Sequence, residues 1–285
     1  MARVASPPPR DQGMKSSGII TLLTDFGNAD GYVAAMKGVI LGIMPHARLI
    51  DITHEVPPQE VAAGAFILSA HYRYFPAGTV HVAIIDPGVG TSRHAIACFL
   101  DGHYFVGPDN GLFDFCARAA PPPAVRLSRR EFWRTALSNT FHGRDIFAPV
   151  AAHLANGAAL EELGDSFTLK PQRPAHACKV DQNTLHGEII FSDRFGNLIS
   201  NITREDLSRF ASGAKIAVQL KRQTIHGLQT SYASVGTGEP VALINSFDLL
   251  EIGVNQGNAK MQLQATLGTP VIIVKGESDN SHAIE

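Results

Sequence analysis

IITLLTDFGNADGYVAAMKGVILGIMPHARLIDIT, residues 19–53, decides the fold. It opens on a β-type apolar run, Ile19 to Leu23, and closes on another, Leu49 to Ile52. Between them Tyr32, Val33, Met36, Val39, Ile40 and Ile43 recur at the spacing of one helical face across residues 30–44. Strand, helix, strand predicts α/β layering with a largely parallel central sheet.

The same alternation continues outward. Residues 61–72 have helical spacing, 79–85 and 95–100 read as strands, and 146–155 as a further helix. Residues 18–169 are therefore expected to form one α/β domain. The character changes at KPQRPAHACK, residues 170–179, part of an expected linker over 170–181. Beyond it come short strand-like runs at 187–191, 198–202, 216–220, 241–244, 249–252 and 271–274, with only 259–267 helical in pattern. This predicts a smaller all-β, barrel-like domain over 182–276. Residues 1–17, with a triple proline and few apolar side chains, read as a disordered extension, and 277–285 as a tail. Met1 and Met14 are both candidate translation starts.

Composition narrows the partners. The 285 residues are 45% hydrophobic, ample for a buried core. Lys and Arg number 24 against 26 Asp and Glu, so no general basic field draws nucleic acid or anionic lipid. A small-molecule partner is expected. The three cysteines, Cys98, Cys116 and Cys178, lack the paired spacing of a zinc site or disulfide framework and read as reduced. With no apolar run long enough to span a bilayer and no signal-type N-terminus, the expected location is cytoplasmic.

Ligands of open α/β sheets bind beyond the carboxyl ends of the strands, and here those ends are acidic. Asp25 and Asp30 follow the first strand, Asp51 and His54 mark the second, Asp86 the third, and Asp109 follows a YFVG run. Asp is common in caps and turns, but repetition at successive strand ends predicts a crevice that repels phosphate and accepts a cation, a metal ion or ribose hydroxyls. TDFG, residues 24–27, shares a triplet with kinases but has no HRD segment before it. The 12 histidines show no HExxH pattern, and His71 and His153 read as packed or surface side chains. The exception is FHGRDIFAP, residues 141–149: Asp145 is expected to cap the helix, Arg144 to pair with a nearby acid, and His142 to face the crevice. In the second domain FSDRFGNLISNI, residues 191–202, gathers Asp193, Phe195, Asn197 and Asn201 about one glycine turn, a ring and amides suited to a nucleobase. INSFDLLEIGVNQGNA, residues 244–259, repeats the theme.

TDFG with Asp30, DPGVGTSR (86–93), GPDNG (107–111), FHGRD, FGN (195–197) and NSF with EIGVNQGNA (251–259) occur in one order. Together they resemble the S-adenosylmethionine hydroxide adenosyltransferases, relatives of the enzymes that make fluorinated and chlorinated adenosines. The resemblance spans residues 19–275 and implies hydrolysis of S-adenosyl-L-methionine to adenosine and L-methionine, with water attacking ribose C5′. It implies catalytic roles for Asp86, Arg93 and His142, ribose and methionine contacts from Asp25 and Asp30, and nucleobase contacts from Asp193, Phe195, Asn197, Ser246, Glu251 and Val254. It also implies a homotrimer with sites at subunit interfaces, and no metal or cofactor.

The chemistry of the residues agrees in one respect: a sulfonium substrate favours a carboxylate-rich crevice. Its leaving group departs as a neutral thioether, so no general acid is needed. Halide transfer is the nearest alternative. The halogenating relatives carry uncharged residues at the triad positions and a tryptophan where this chain has Gln59. A non-catalytic S-adenosylmethionine or adenosine sensor and a metal-assisted hydrolase are further readings.

Overall fold

The computed structural model describes residues 16–117, 120–172, 178–181 and 183–275. Most of the expected extension, Met14, residues 173–177 of the expected linker, residue 182 at the start of the expected second domain and the tail lie outside the described residues. The chain divides into two compact units, 1–173 and 174–285.

The first unit runs β1 (Ile19–Thr24), α1 (Tyr32–Ile43), β2 (Arg48–Thr53), α2 (Val61–His71), β3 (Val80–Ile84), β4 (Ala95–Leu100), β5 (His103–Pro108), β6 (Ala124–Leu127), α3 (Ala148–Ala155) and β7 (Gly164–Ser166). Its seven-stranded sheet has the order β2-β1-β3-β5-β4-β6-β7. The first four strands are mutually parallel, and β4, β6 and β7 continue the sheet antiparallel. β1, β3 and β5 are buried along their whole length, so their apolar runs are continuous rather than alternating. β2 lies at the edge and exposes Ile50 and Asp51. Val33, Met36 and Ile40 are the buried face of α1, and Met36 and Ile40 join Ile20, Leu22, Val82 and Ile84 in one core. The expected helix from Ile146 begins as a π-turn over Gly143–Phe147 and becomes α-helical only at Ala148. Apolar spacing over one turn does not separate the two geometries.

The second unit contains β8 (Lys179–Val180), β9 (Thr184–Ser192), β10 (Leu198–Thr203), α4 (Arg204–Ala211), β11 (Ile216–Leu220), β12 (Gln223–His226), β13 (Pro240–Ile244), β14 (Leu249–Val254), α5 (Ala259–Gln262) and β15 (Pro270–Lys275). The strand ladder β12-β11-β15-β9-β10-β14-β13 is antiparallel throughout, and the bridge Gln229↔Leu243 brings the segment after β12 to β13, so the sheet is nearly closed. The barrel-like reading holds, but the helix content was misjudged. The expected helix 259–267 shortens to α5, and α4 was missed. Its signal was present: Thr203 and Asp206 form a capping box, each side chain taking the other's backbone N–H, and Leu207 and Phe210 form its buried stripe. No helix among the described residues is long and apolar enough to cross a membrane.

Candidate active site

β1 and β3 are parallel neighbours with Thr24 in register with Ile84, so Asp25 and Asp86 leave the sheet at the same carboxyl edge. Arg93 returns on the loop that Asp86 begins. Its Nε donates to Asp86 Oδ1 at 3.0 Å and Oδ2 at 3.1 Å, and its Nη2 donates to Oδ2 at 2.5 Å. The same Nη2 lies 2.9 Å from His142 Nδ1. The side chains of Arg93 and Asp86 are 11% and 6% exposed, and the guanidinium packs 5.3 Å from the centre of the Phe147 ring. Two residues of one loop and a third, 49 positions from Arg93, are thus joined through one guanidinium.

That bridge fixes the state of His142. Arginine only donates, so Nδ1 accepts and the ring proton sits on Nε2. Burial, and then the positive charge of Arg93, hold the His142 pKa below the ordinary imidazole value against the opposing pull of Asp86 and Asp145. The neutral ring is the resting form.

Two glycines seat these groups. Gly90 has φ +78°, and a Cβ there would stand 2.5 Å from the Asn139 carbonyl oxygen. The Asp86–Arg93 loop therefore closes on the segment leading to His142. Gly143 lies against Met36, Phe141 and Ile84, each within 3.3 Å of where its Cβ would be, which seats the π-turn at the end of β3.

Asp145 is not the expected helix cap. It is fully buried and accepts from Arg134 Nη1 at 2.8 Å, Ser138 N at 2.8 Å, and Arg144 Nε and Nη2 at 2.7 and 2.9 Å. Burial alone would raise its pKa, but the bonds from Arg144, Ser138 and Arg134 outweigh it, so the carboxylate stays ionised. Arg144 does pair with a nearby acid, and that acid is Asp145.

The acidic crevice is smaller than the sequence implied. Asp51 is bound by Lys37 Nζ at 2.6 Å and lies 3.1 Å from His54 Nε2, so its charge is compensated. Burial pushes the Asp109 carboxyl up against the opposing hydrogen bond from Gln172. Asp25 and Asp30 remain, with Asp86 beside them held by Arg93. Asp25 Oδ2 accepts from Gln59 N at 2.8 Å, and Gln59 holds φ +66° to deliver that N–H. Asp30 is exposed and does not cap α1, whose N-cap Gly31 has no side-chain bond. Phe26, Tyr32 and Phe141 form a three-ring cluster, with centroids 5.1–6.1 Å apart, that links the TDFG turn, the start of α1 and the residue before His142. Sequence reasoning missed this cluster, although an aromatic stands inside or beside each motif. No group of three or more His, Cys, Asp or Glu side chains among the described residues is disposed to hold a metal.

In the second unit the β9–β10 turn is held by Asp193, whose Oδ1 accepts from Asn197 N at 2.8 Å and whose Oδ2 accepts from Asn197 Nδ2 at 2.9 Å. Phe195 at its tip is 75% exposed. Asn201 does not belong to this group, because its Oδ1 accepts from Glu188 N in the β9–β10 pairing. Glu251 is buried and accepts from the Tyr232 hydroxyl and from Asn245 Nδ2 at 3.1 Å. Tyr232 Oη also lies 3.4 Å from Asn197 Nδ2, tying Glu251 to the turn. Burial, reinforced by Glu251, pushes the Tyr232 phenol far up. Tyr232 was not foreseen, since it opens a short 3-10 turn after strand β12 that carries no motif. Val254 is buried at the end of β14, and Ser246 is exposed before that strand begins.

Comparison with known proteins places both units. Residues 20–164 match the model of the SAM hydroxide adenosyltransferase N-terminal domain, and residues 187–272 that of the C-terminal domain. An (R)-S-adenosyl-L-methionine hydrolase of Salinispora arenicola is 37% identical over 92% of this chain and 100% of its own length. One from Salinispora tropica is 38% identical over 90% and 98%. A fluorinase of Actinoplanes sp. is more distant, at 28% over 90% and 97%. The crystal structure of a conserved protein of Thermotoga maritima superposes with a TM-score of 0.84 at 35% identity, covering 90% of this chain and all of that one.

Proposed function

This chain belongs to the SAM hydroxide adenosyltransferase family, and we propose that it is a hydrolase that splits S-adenosyl-L-methionine into adenosine and L-methionine. The water oxygen bonds to ribose C5′ as the C5′–S bond breaks. Sulfur keeps the bonding pair and leaves as the neutral thioether of methionine. The water's proton passes to the protein, so the reaction balances without a cofactor or metal. The observation that carries the reading is Arg93 bonded at once to Asp86 and His142.

The bridge supports one division of roles. His142 Nδ1 is taken by Arg93 and Nε2 carries the proton, so His142 serves as a donor that holds the water oxygen. Asp86 is then the proton acceptor. Ionising bulk water onto an aspartate before attack costs about 16 kcal/mol on reference pKa values, so transfer accompanies C–O bond formation. Arg93 keeps Asp86 in place and tempers the charge developing on the oxygen. Gly90 serves this arrangement through its fit against Asn139.

Asp25 and Asp30 take the ribose and methionine groups. Asp193, Phe195, Asn197, Ser246, Glu251 and Val254 take the nucleobase side. Asn197 Nδ2 faces Asp193 and Tyr232, which leaves Oδ1 as the atom to present, an acceptor suited to the exocyclic amine of adenine. Glu251, occupied by Tyr232 and Asn245, acts by holding both. The assembly is a homotrimer with sites at subunit interfaces; the family likeness and the exposed Phe195 ring support this. A cytoplasmic location accords with three free thiols.

The test is incubation of purified protein with S-adenosyl-L-methionine in halide-free buffer, with products separated by chromatography. Adenosine and methionine in equal amounts, formed equally well with chelator, are expected. Binding without products would favour a sensor, products only with added halide would favour transfer, and loss of activity with chelator would favour a metal-assisted route.

A further inference from the structure

A row of polar side chains runs behind the Thr24–Gly27 turn. Lys37 Nζ donates to Asp51 Oδ2 at 2.6 Å, and Asp51 Oδ1 stands 3.1 Å from His54 Nε2. His54 Nδ1 is 2.8 Å from Thr24 Oγ1, which accepts from Phe26 N at 3.2 Å, and the His54 carbonyl accepts from Gly27 N at 2.8 Å. Thr24 is fully buried and His54 is 3% exposed.

His54 Nε2 has no hydrogen-bond partner among the described residues, although Asp51 Oδ1 stands 3.1 Å away. Thr24 Oγ1 accepts the Phe26 N–H, which leaves its own proton to be given to His54 Nδ1. Thr24 has no exposure through which a substrate could meet its hydroxyl. What the row does fix is backbone. The residues on both sides of Asp25, together with Gly27, are tied to His54, while the Asp25 carboxylate is steadied from another side by Gln59 N.

We infer that His54 is a positioning residue that aims Asp25 at the substrate ribose, an inference that rests on the ribose role given to Asp25 above. A contact made equally in ground and transition states affects KM rather than kcat. His54→Ala is expected to raise KM for S-adenosyl-L-methionine and Kd for adenosine roughly tenfold, the scale of one hydrogen bond, with kcat within about threefold. His54→Asn, whose side-chain oxygen can accept the Thr24 proton, should recover most of the loss.

The decisive measurement is the double-mutant cycle with Asp25→Ala. If His54 acts through Asp25, His54→Ala changes KM by less than about twofold in that background. A full effect there, or a fall in kcat with KM unchanged, overturns the inference. Nitrogen-15 spectra of wild-type His54 need neither a variant nor a substrate: an unprotonated Nδ1 accepting from Thr24 is expected, and a protonated Nδ1 overturns the inference. Wild-type protein that neither turns over S-adenosyl-L-methionine nor binds adenosine would instead sink the functional reading, a result separate from the spectrum.

Discussion

Arg93 Nη2 donates to His142 Nδ1 at 2.9 Å while the same guanidinium holds both oxygens of Asp86. A lysine presents one compact ammonium in place of a planar fork and cannot reproduce both contacts. Arg93→Lys should therefore lower kcat by about 100-fold or more, the scale of losing one preorganised electrostatic contact, with a smaller change in KM. Steady-state kinetics on a variant shown by calorimetry to be folded check this, and a kcat within about threefold of wild type would refute the bridge's role.

The depressed pKa of His142 sets the acid limb of the pH profile. Protonating Nδ1 would turn it toward the Arg93 cation with no lone pair to offer, so the protonated form is inactive. Burial and Arg93 lower its pKa, so activity should persist below the ordinary imidazole range and fall only at more acidic pH. A kcat against pH series in halide-free buffer measures this. An acid limb at or above the usual histidine value would contradict it.

These site geometries were only partly legible in the sequence. Strand-helix-strand alternation over 19–53 disclosed the parallel sheet, because fully buried strands write continuous apolar runs. Motif order exposed Asp86, Arg93 and His142, but not that one guanidinium would unite them, since the contact between Arg93 and His142 spans 49 positions. Asp51 looked available because Lys37, its partner, sits on a helix whose polar side carries no motif. Tyr232 and the capping box before α4 differ in how the sequence carries them: the first depends on packing, whereas the second is written in TRED, residues 203–206.

Phe195 stands 75% exposed at the tip of its turn, so removing the ring leaves the fold intact. Phe195→Ala should change stability by no more than about 0.5 kcal/mol. Adenosine affinity should fall roughly tenfold or more, as expected for a lost stacking platform. Thermal unfolding and adenosine titration on one sample read both quantities. Equal losses in the two would mean that the ring packs rather than binds.

The nucleobase role proposed for Asn197, with its oxygen presented rather than its amine, favours adenosine over inosine, whose 6-oxo group would meet an acceptor. Discrimination of at least about 100-fold is expected from the unpaired and repelling contact. Competition binding with inosine checks it; comparable affinities would show that Asn197 does not read the 6-position.

His81 is fully buried on β3, bonded to Thr21 at 2.7 Å and to His103 at 3.1 Å, and burial pushes its pKa down to about 3. Between that value and the ordinary imidazole value the unfolded chain binds a proton that the folded one refuses, so stability rises with pH and is lost on acidification. His81 alone contributes a slope of about 1 kcal/mol per pH unit over that window. Denaturant titrations between pH 6 and pH 4 (roughly the centre of the window) should show the slope in wild type and a shallower one in His81→Gln. Identical slopes would place the proton uptake elsewhere.

In the proposed mechanism water held by Asp86 and His142 attacks ribose C5′, and oxygen-18 water traces that oxygen. Turnover of S-adenosyl-L-methionine in labelled, halide-free water, followed by mass spectrometry of the products, is predicted to give adenosine labelled at the 5′-hydroxyl and unlabelled methionine. In Asp86→Ala the rate of that labelling should fall at least about 100-fold. Unlabelled adenosine, label in methionine, or an undiminished rate in Asp86→Ala would contradict the account.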